Sequence, residues 1–201
     1  GNQIQYIFDI FDDYIDVNFS YKGYFSNPNS AWLSSSDINI SPDSEFIGSE
    51  LGDYVLAIGL FPNRSFSLDA LGYQYYSGAE GDIFLNVNSA AQDYGYEPGN
   101  AGFSLLLHEI GHALGLKHPH DDGGTGHPTF VQSGIGGFDT DWLTVMSYDD
   151  DYNWNDNFWD PATPMILDVI ALQYLYGANL STNAGDSTLQ FADDANYYQT
   201  V

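Results

Sequence analysis

The stretch His108-Glu109-Ile110-Gly111-His112-Ala113-Leu114-Gly115-Leu116-Lys117-His118 decides how this chain is read. It fills every fixed position of the pattern H-E-x-x-H-x-x-G-x-x-H. On a helix, residues i and i+4 share a face, so His108 and His112 can offer two imidazoles to one ion. Glu109 follows the first of them and projects beside that ion without using a coordination site. Gly115 can leave the helix in a left-handed conformation that a side chain would penalise. The chain then turns back and delivers His118 as a third ligand. Three protein ligands plus one open position is the arrangement of catalytic zinc, whereas structural sites close all four. With 5 His and 21 Gly in 201 residues, chance supplies the full pattern in roughly one such chain in a hundred thousand, which sets aside a buried helix that merely carries histidines.

Working outward, Phe103, Leu106, Leu107, Ile110 and Leu114 recur at helical spacing. They predict a helix over about 102–114 with that stripe in the core and the histidines turned toward a cleft. Upstream, Ile4, Ile7, Phe8 and Phe11 stand at i, i+3, i+4 and i+7, favouring an amphipathic helix over 5–14; a first strand over 4–8 is the alternative. Four strand candidates follow: Asp16–Tyr21, Asp37–Ile40, Tyr54–Phe61 and Asp82–Val87. Ser-, Asn-, Pro- and Gly-rich loops separate them. Residues 119–164 lack periodic runs and predict irregular structure. A final helix is expected with Thr163 as N-cap, Pro164 at its first position, an apolar run from Ile166 to Leu175 and Gly177 as C-cap, in a scaffolding role.

The long motif, followed by Thr144-Val145-Met146-Ser147-Tyr148, resembles the metzincin metalloproteases, whose pattern is the zinc string plus a Met-containing turn. Within that clan the chain is similar to the serralysin family. Three stretches carry the likeness: His108 to Pro119, the Met-Ser-Tyr turn, and Pro164-Met165-Ile166-Leu167-Asp168 leading to Gln173-Tyr174-Leu175-Tyr176-Gly177-Ala178-Asn179. The strand Gly81-Asp82-Ile83-Phe84-Leu85-Asn86 also fits, and the likeness covers about residues 37–201. It implies an α+β, metzincin-type two-subdomain catalytic domain, with a twisted mixed β-sheet, an active-site helix and a C-terminal helix. Residues 1–118 would form the subdomain with sheet and active helix, and 119–201 the one with Met turn and final helix. If the helix over 5–14 holds, the family's first strand is missing or lies upstream.

The resemblance also implies an activity: a secreted, bacterial, zinc-dependent endopeptidase that cleaves extended protein substrates with metal-activated water. In that reading His108, His112 and His118 hold zinc, and Glu109 moves protons as general base and acid. The tyrosine matching Tyr148 can bind the resting zinc and swing away to donate a hydrogen bond to the oxyanion. Met146 packs beneath the histidines as a space-filling thioether rather than a ligand. An edge strand over Tyr54, Val55, Leu56, Ala57 and Ile58 would pair with the extended peptide. Serralysins usually continue into a calcium-binding β-roll of Gly- and Asp-rich nonapeptides. No such repeat occurs here, so Val201 reads as a truncation point and Gly1 as a processed or trimmed end. Two other functions stand beside the peptidase. A catalytically silent zinc- or peptide-binding module would have no physical need for Glu109. A different zinc hydrolase is opposed by the downstream Met turn.

Composition bounds the partners. Asp and Glu outnumber Lys and Arg by 28 to 3, giving a formal charge of −25. A field of that sign repels nucleic acid and anionic membranes and attracts cations. We therefore expect neither as a partner, and a monomer acting on protein or peptide. The acidic groups read first as a solvated surface, and second as candidates for calcium. Asp149, Asp151, Asn153 and Asn155 alternate like an EF-hand loop, but Trp154 and Asp160 occupy the positions that need Gly and Glu. His120 and His127 read as solvated loop histidines. The chain has no cysteine, which excludes disulfides and thiolate metal ligands and leaves nitrogen and oxygen to hold the zinc. The sequence contains no signal peptide and no apolar run of the ~20 residues a membrane span needs.

Overall fold

A computed structural model of the chain describes residues 2–26, 30, 33–43, 55–62, 80–89, 93–122, 126–148, 160–188 and 197–201. Helix α1 spans Asn2–Tyr14, and the strand alternative for its first residues does not hold. Ile7, Ile10 and Phe11 are all buried; their three- and four-residue spacing turns one face inward only if the segment is helical. The helix is tied to distant chain. Asn179 Nδ2 donates to the carbonyl of Asp12 (2.6 Å), and Gln173 Nε2 to that of Tyr14 (3.0 Å). The Tyr14 hydroxyl donates to the carbonyl of Thr200 (2.6 Å).

Among the described residues the sheet has three strands, β1 (Ile40–Asp43), β2 (Ala57–Gly59) and β3 (Ile83–Asn86), in the order β1-β3-β2. It is mixed, with β1 parallel and β2 antiparallel to the central β3. Three of the four strand predictions land on it, with shifted bounds. Strand β1 starts where 37–40 was expected to end. The Asp82 carboxylate takes both the backbone N–H of Asn39 (2.8 Å) and its side-chain amide (2.9 Å), so the Asn39 N–H goes to a side chain while its carbonyl accepts the N–H of Ile83 in β3 (2.8 Å). Pro42 is tolerated because β1 lies at the edge of the sheet among the described residues, where one side needs no donor. The fourth prediction, Asp16–Tyr21, is wrong. Val17 and Phe19 are half-buried between exposed neighbours, and Phe8 packs on Phe19 with ring centroids 5.0 Å apart. The alternation there records one-sided packing on the core with no partner strand among the described residues.

Helix α2 (Ala101–Ala113) runs through the middle of the molecule. Phe103, Leu106, Leu107 and Ile110 join Ile7, Phe11, Ile15 and Ile83, together with Met146, Met165 and Leu172, in one core. The expectation of an apolar face opposite an open one is only half met, because His108, Glu109 and His112 are buried as well. Strand β2 is the reason on one side. A Cβ on Gly59 would lie 2.3 Å from the carbonyl oxygen of Glu109 and 2.9 Å from the Cβ of His112. Sheet and helix therefore touch backbone to backbone, which only glycine permits.

Helix α3 (Ile166–Tyr176) closes the fold. Its C-cap is Gly177 as expected, at φ 83. The N-terminal prediction needs correction: Met165 is the N-cap, and Thr163 and Pro164 precede it. The Thr163 hydroxyl instead accepts the backbone N–H of Thr200 (2.8 Å). Asp168 does the capping, taking the N–H of Met165 at 2.8 Å.

Candidate metal centre

Two segments deliver the three imidazoles. His108 and His112 come from consecutive turns of α2. The chain then ends the helix at Gly115, whose φ of 107 is open to glycine. The N–H of Leu116 reaches back to the carbonyl of Gly111 (2.8 Å), which points the following residues at the histidines. His118 Nε2 lies 3.0 Å from Nε2 of His108 and 3.0 Å from Nε2 of His112.

Those three nitrogens cannot be holding one another. His108 Nδ1 lies 2.7 Å from the carbonyl of Val145 and His112 Nδ1 lies 2.7 Å from the carbonyl of Leu116. A carbonyl only accepts, so both Nδ1 atoms carry the proton. His118 Nδ1 donates to the Asp121 carboxylate at 2.6 Å. All three Nε2 atoms are then bare lone pairs aimed at one point, an arrangement that repels itself unless a cation sits there. Tetrahedral zinc with nitrogen ligands at 2.0–2.1 Å sets them about 3.3 Å apart, close to the observed spacing. The donor set fits zinc. Each ring also has the outer partner that fixes its tautomer in metal-binding histidines.

Electrostatics keep the rings ready. Burial, and next the neighbouring His112, push His108 down to about 3. Burial, and then His118, push His112 down to about 4. His118 is also lowered, mainly by burial, against the pull of Asp121. Neutral imidazole is the ligand form. Burial pushes Glu109 the other way, up to about 8, opposed by the N–H of Gly59 donating to its carboxylate. A cation next door would draw it back down.

Tyr148 covers this cluster from outside. Its ring stacks on His108 (centroids 5.6 Å, 20°) and leans on His118 (4.5 Å), while 66% of the residue stays exposed. Burial of its hydroxyl, followed by the charges of Glu109 and Asp121, pushes its pKa up to about 12. Met146 lies on the inner side: a Cβ on Gly111 would meet its sulfur at 2.7 Å. His120, expected to be a solvated loop residue, stacks parallel on His118 (5.1 Å, 4°) and faces Asp139 at 3.5 Å. His127 is exposed, as expected.

Of the expected substrate strand, Ala57 and Ile58 lie in β2, Val55 and Leu56 precede it without strand structure, and Tyr54 is outside the described residues. Residues 149–159 of the calcium-loop candidate are also outside them. The sequence reading missed Asp121, Asp168, Phe61, whose ring meets His112 edge-on at 5.5 Å, and Gly59. Only Gly59 carried a signal, a glycine inside an apolar run that marks a close backbone approach.

Comparison with known proteins follows the same line. The chain is 37% identical over 150 residues to metallopeptidase AprA of Pseudomonas marginalis, covering 70% of this chain and 31% of that protein. It is 36% identical over 136 residues to serralysin of Proteus mirabilis, covering 65% and 28%. With serralysin A of Dickeya chrysanthemi it shares 43% over 93 residues, covering 45% and 18%. This chain is a serralysin-like metzincin domain. No family model matches it. The serralysin-like domain spans less than a third of the length of these relatives. Among its described residues no helix is long and apolar enough to cross a membrane.

Proposed function

We propose that this serralysin-like domain is a secreted, zinc-dependent endopeptidase domain acting on extended segments of protein substrates. The observation that carries the reading is the convergence of three bare Nε2 atoms beside a buried glutamate. His108, His112 and His118 hold the metal. When bound, zinc supplies a Lewis acid for the scissile carbonyl and lowers the pKa of water toward about 7. Glu109, raised by burial and drawn back down beside a cation, takes the proton of the attacking water and returns it to the leaving nitrogen. Tyr148 donates a hydrogen bond from its hydroxyl to the oxygen where negative charge develops. Gly115 sets the turn toward His118, and Met146 supports the histidine pair from below.

Substrate would bind along β2. Among the described residues β2 has β3 as its ladder partner on one side, and it lies against α2 at Glu109. An extended peptide added to its free edge, along Tyr54 to Ile58, would run beside the reacting groups. The division into subdomains at residue 118 belongs to this reading, as does calcium at acidic loops. The alternative, a silent zinc- or peptide-binding module, leaves Glu109 without a task, although its buried carboxyl is costly to keep.

The test is hydrolysis of casein or a quenched peptide, with and without a chelator, beside Glu109→Ala. We expect chelator-sensitive cleavage that falls about 10²- to 10⁴-fold in the variant. Absence of chelator-sensitive cleavage in the wild type, or equal cleavage by the variant, would sink the peptidase assignment.

A further inference from the structure

Asp168 lies in α3, a helix that supplies no metal ligand and was expected only to scaffold, yet it is among the most buried polar groups described, at 2% exposure. Its carboxylate is spent on the Met turn. Oδ1 accepts the hydroxyl proton of Thr144 at 2.5 Å, and Oδ2 accepts the backbone N–H of Val145 at 2.8 Å. Oδ2 also takes the N–H of Met165, which anchors the carboxylate to its own helix end. Thr144 Oγ1 in turn accepts the N–H of Met146 at 3.1 Å. A single side chain thus fixes three successive residues of the turn. The middle one, Val145, presents the carbonyl that holds the Nδ1 proton of His108 at 2.7 Å. The backbone of the α3 entry adds a second tie, with Leu167 N–H donating to the carbonyl of Leu143 at 3.0 Å.

We propose that Asp168 is a positioning residue of the metal centre: through the Thr144–Met146 backbone it fixes the Val145 carbonyl, and through that carbonyl the ring orientation and tautomer of His108. The three imidazoles then divide their outer support differently. His112 and His118 are supported by their own segment, through Leu116 and Asp121. His108 depends on a helix 60 residues downstream, because the Thr144 hydroxyl that holds the N–H of the Val145–Met146 peptide plane is itself held by Asp168. An unsupported carbonyl could rotate by tens of degrees and release the ring. Outer partners of metal-binding histidines are worth about 10- to 100-fold in metal affinity.

The inference rests on the zinc reading, so the experiment measures that reading separately. Zinc dissociation constants come from competition with a chromophoric chelator, using folded protein throughout. Wild type binding one zinc per chain tests the metal assignment by itself. Asp168→Ala should then bind zinc 10- to 100-fold more weakly. Ile7→Ala, which empties a core position on α1 that has no part in the Asp168 hydrogen bonds, should bind within about twofold of wild type although it is less stable. If Asp168→Ala does not fold, Asp168→Asn replaces it. An amide cannot accept on both atoms, so one of the three donors into Asp168 loses its acceptor and affinity falls at least about threefold. Nitrogen-15 histidine NMR of the zinc-loaded protein supplies the second readout, faster exchange of the His108 Nδ1 proton in the Asp168 variant and unchanged exchange at His112. Wild-type affinity in a folded Asp168 variant, or an equal loss in Ile7→Ala, overturns the proposal.

Discussion

The metal centre and the three-stranded sheet are built on opposite terms. At the centre, side chains choose the contacts: each imidazole has one named acceptor, and Asp168 has three named donors. In the sheet, backbone ladders of three or four residues do the work, and side chains mainly decide where a ladder may begin. Chemistry concentrated in side chains is specific and intolerant of change. Pairing spread along backbone can slide by a residue or two and still close. The two regions meet at Gly59, where β2 lies on α2, so a change there should be felt in both.

The largest effect after loss of the general base should come from Tyr148→Phe. If the hydroxyl acts only on developing charge, kcat falls about 10²-fold and KM stays near the wild-type value. A rise in KM with unchanged kcat would make Tyr148 a packing or binding group instead.

A second effect concerns pH. His108 and His112 have folded-state values of about 3 and about 4, below the ordinary 6.5. In metal-free protein the unfolded chain therefore binds more protons than the folded chain as pH falls. The stability these rings contribute is complete above pH 6.5 and drains as pH drops through 4 and then 3. Because the −25 charge and the raised carboxyls respond to acid too, the reading is a difference between wild type and His108→Leu/His112→Leu. The urea midpoint of wild type should fall faster on acidification from pH 7 to 4. Parallel curves would mean that the rings are not buried in neutral form.

The smallest effect tests the junction. Gly59→Ala forces a Cβ to within 2.3 Å of the Glu109 carbonyl and should cost about 1–3 kcal/mol, with a loss of activity beyond the loss of stability. Gly137→Ala meets nothing within 4 Å and should stay within about 0.5 kcal/mol of wild type. Equal urea midpoints for the two variants would show that β2 can move off the helix without penalty.

How much was legible in the sequence follows the same division. The helix over 102–114 is one residue from its observed bounds, and the three histidines converge as their spacing required. Periodicity and a fixed-position motif are local signals, so they survive without knowledge of the fold. Asp121 and Asp168 were not legible. A carboxylate among 28 acidic residues carries no mark of which backbone it will meet. The Thr163 cap failed because the hydroxyl was taken by Thr200, a partner 37 residues away. Strand β1 was misplaced by the Asn39–Asp82 contact, again a long-range one. Asp16–Tyr21 alternates because one side of an irregular segment rests on the core, and alternation cannot separate that from a ladder.

X-ray absorption at the zinc edge of the metal-loaded domain tests the central claim most directly. The expected result is one zinc per chain with three imidazole nitrogens at about 2.0–2.1 Å and a remaining oxygen shell. His118→Ala should reduce the imidazole count to two. A site with fewer than three imidazoles in the wild type, or a closed shell of four protein ligands, would contradict it.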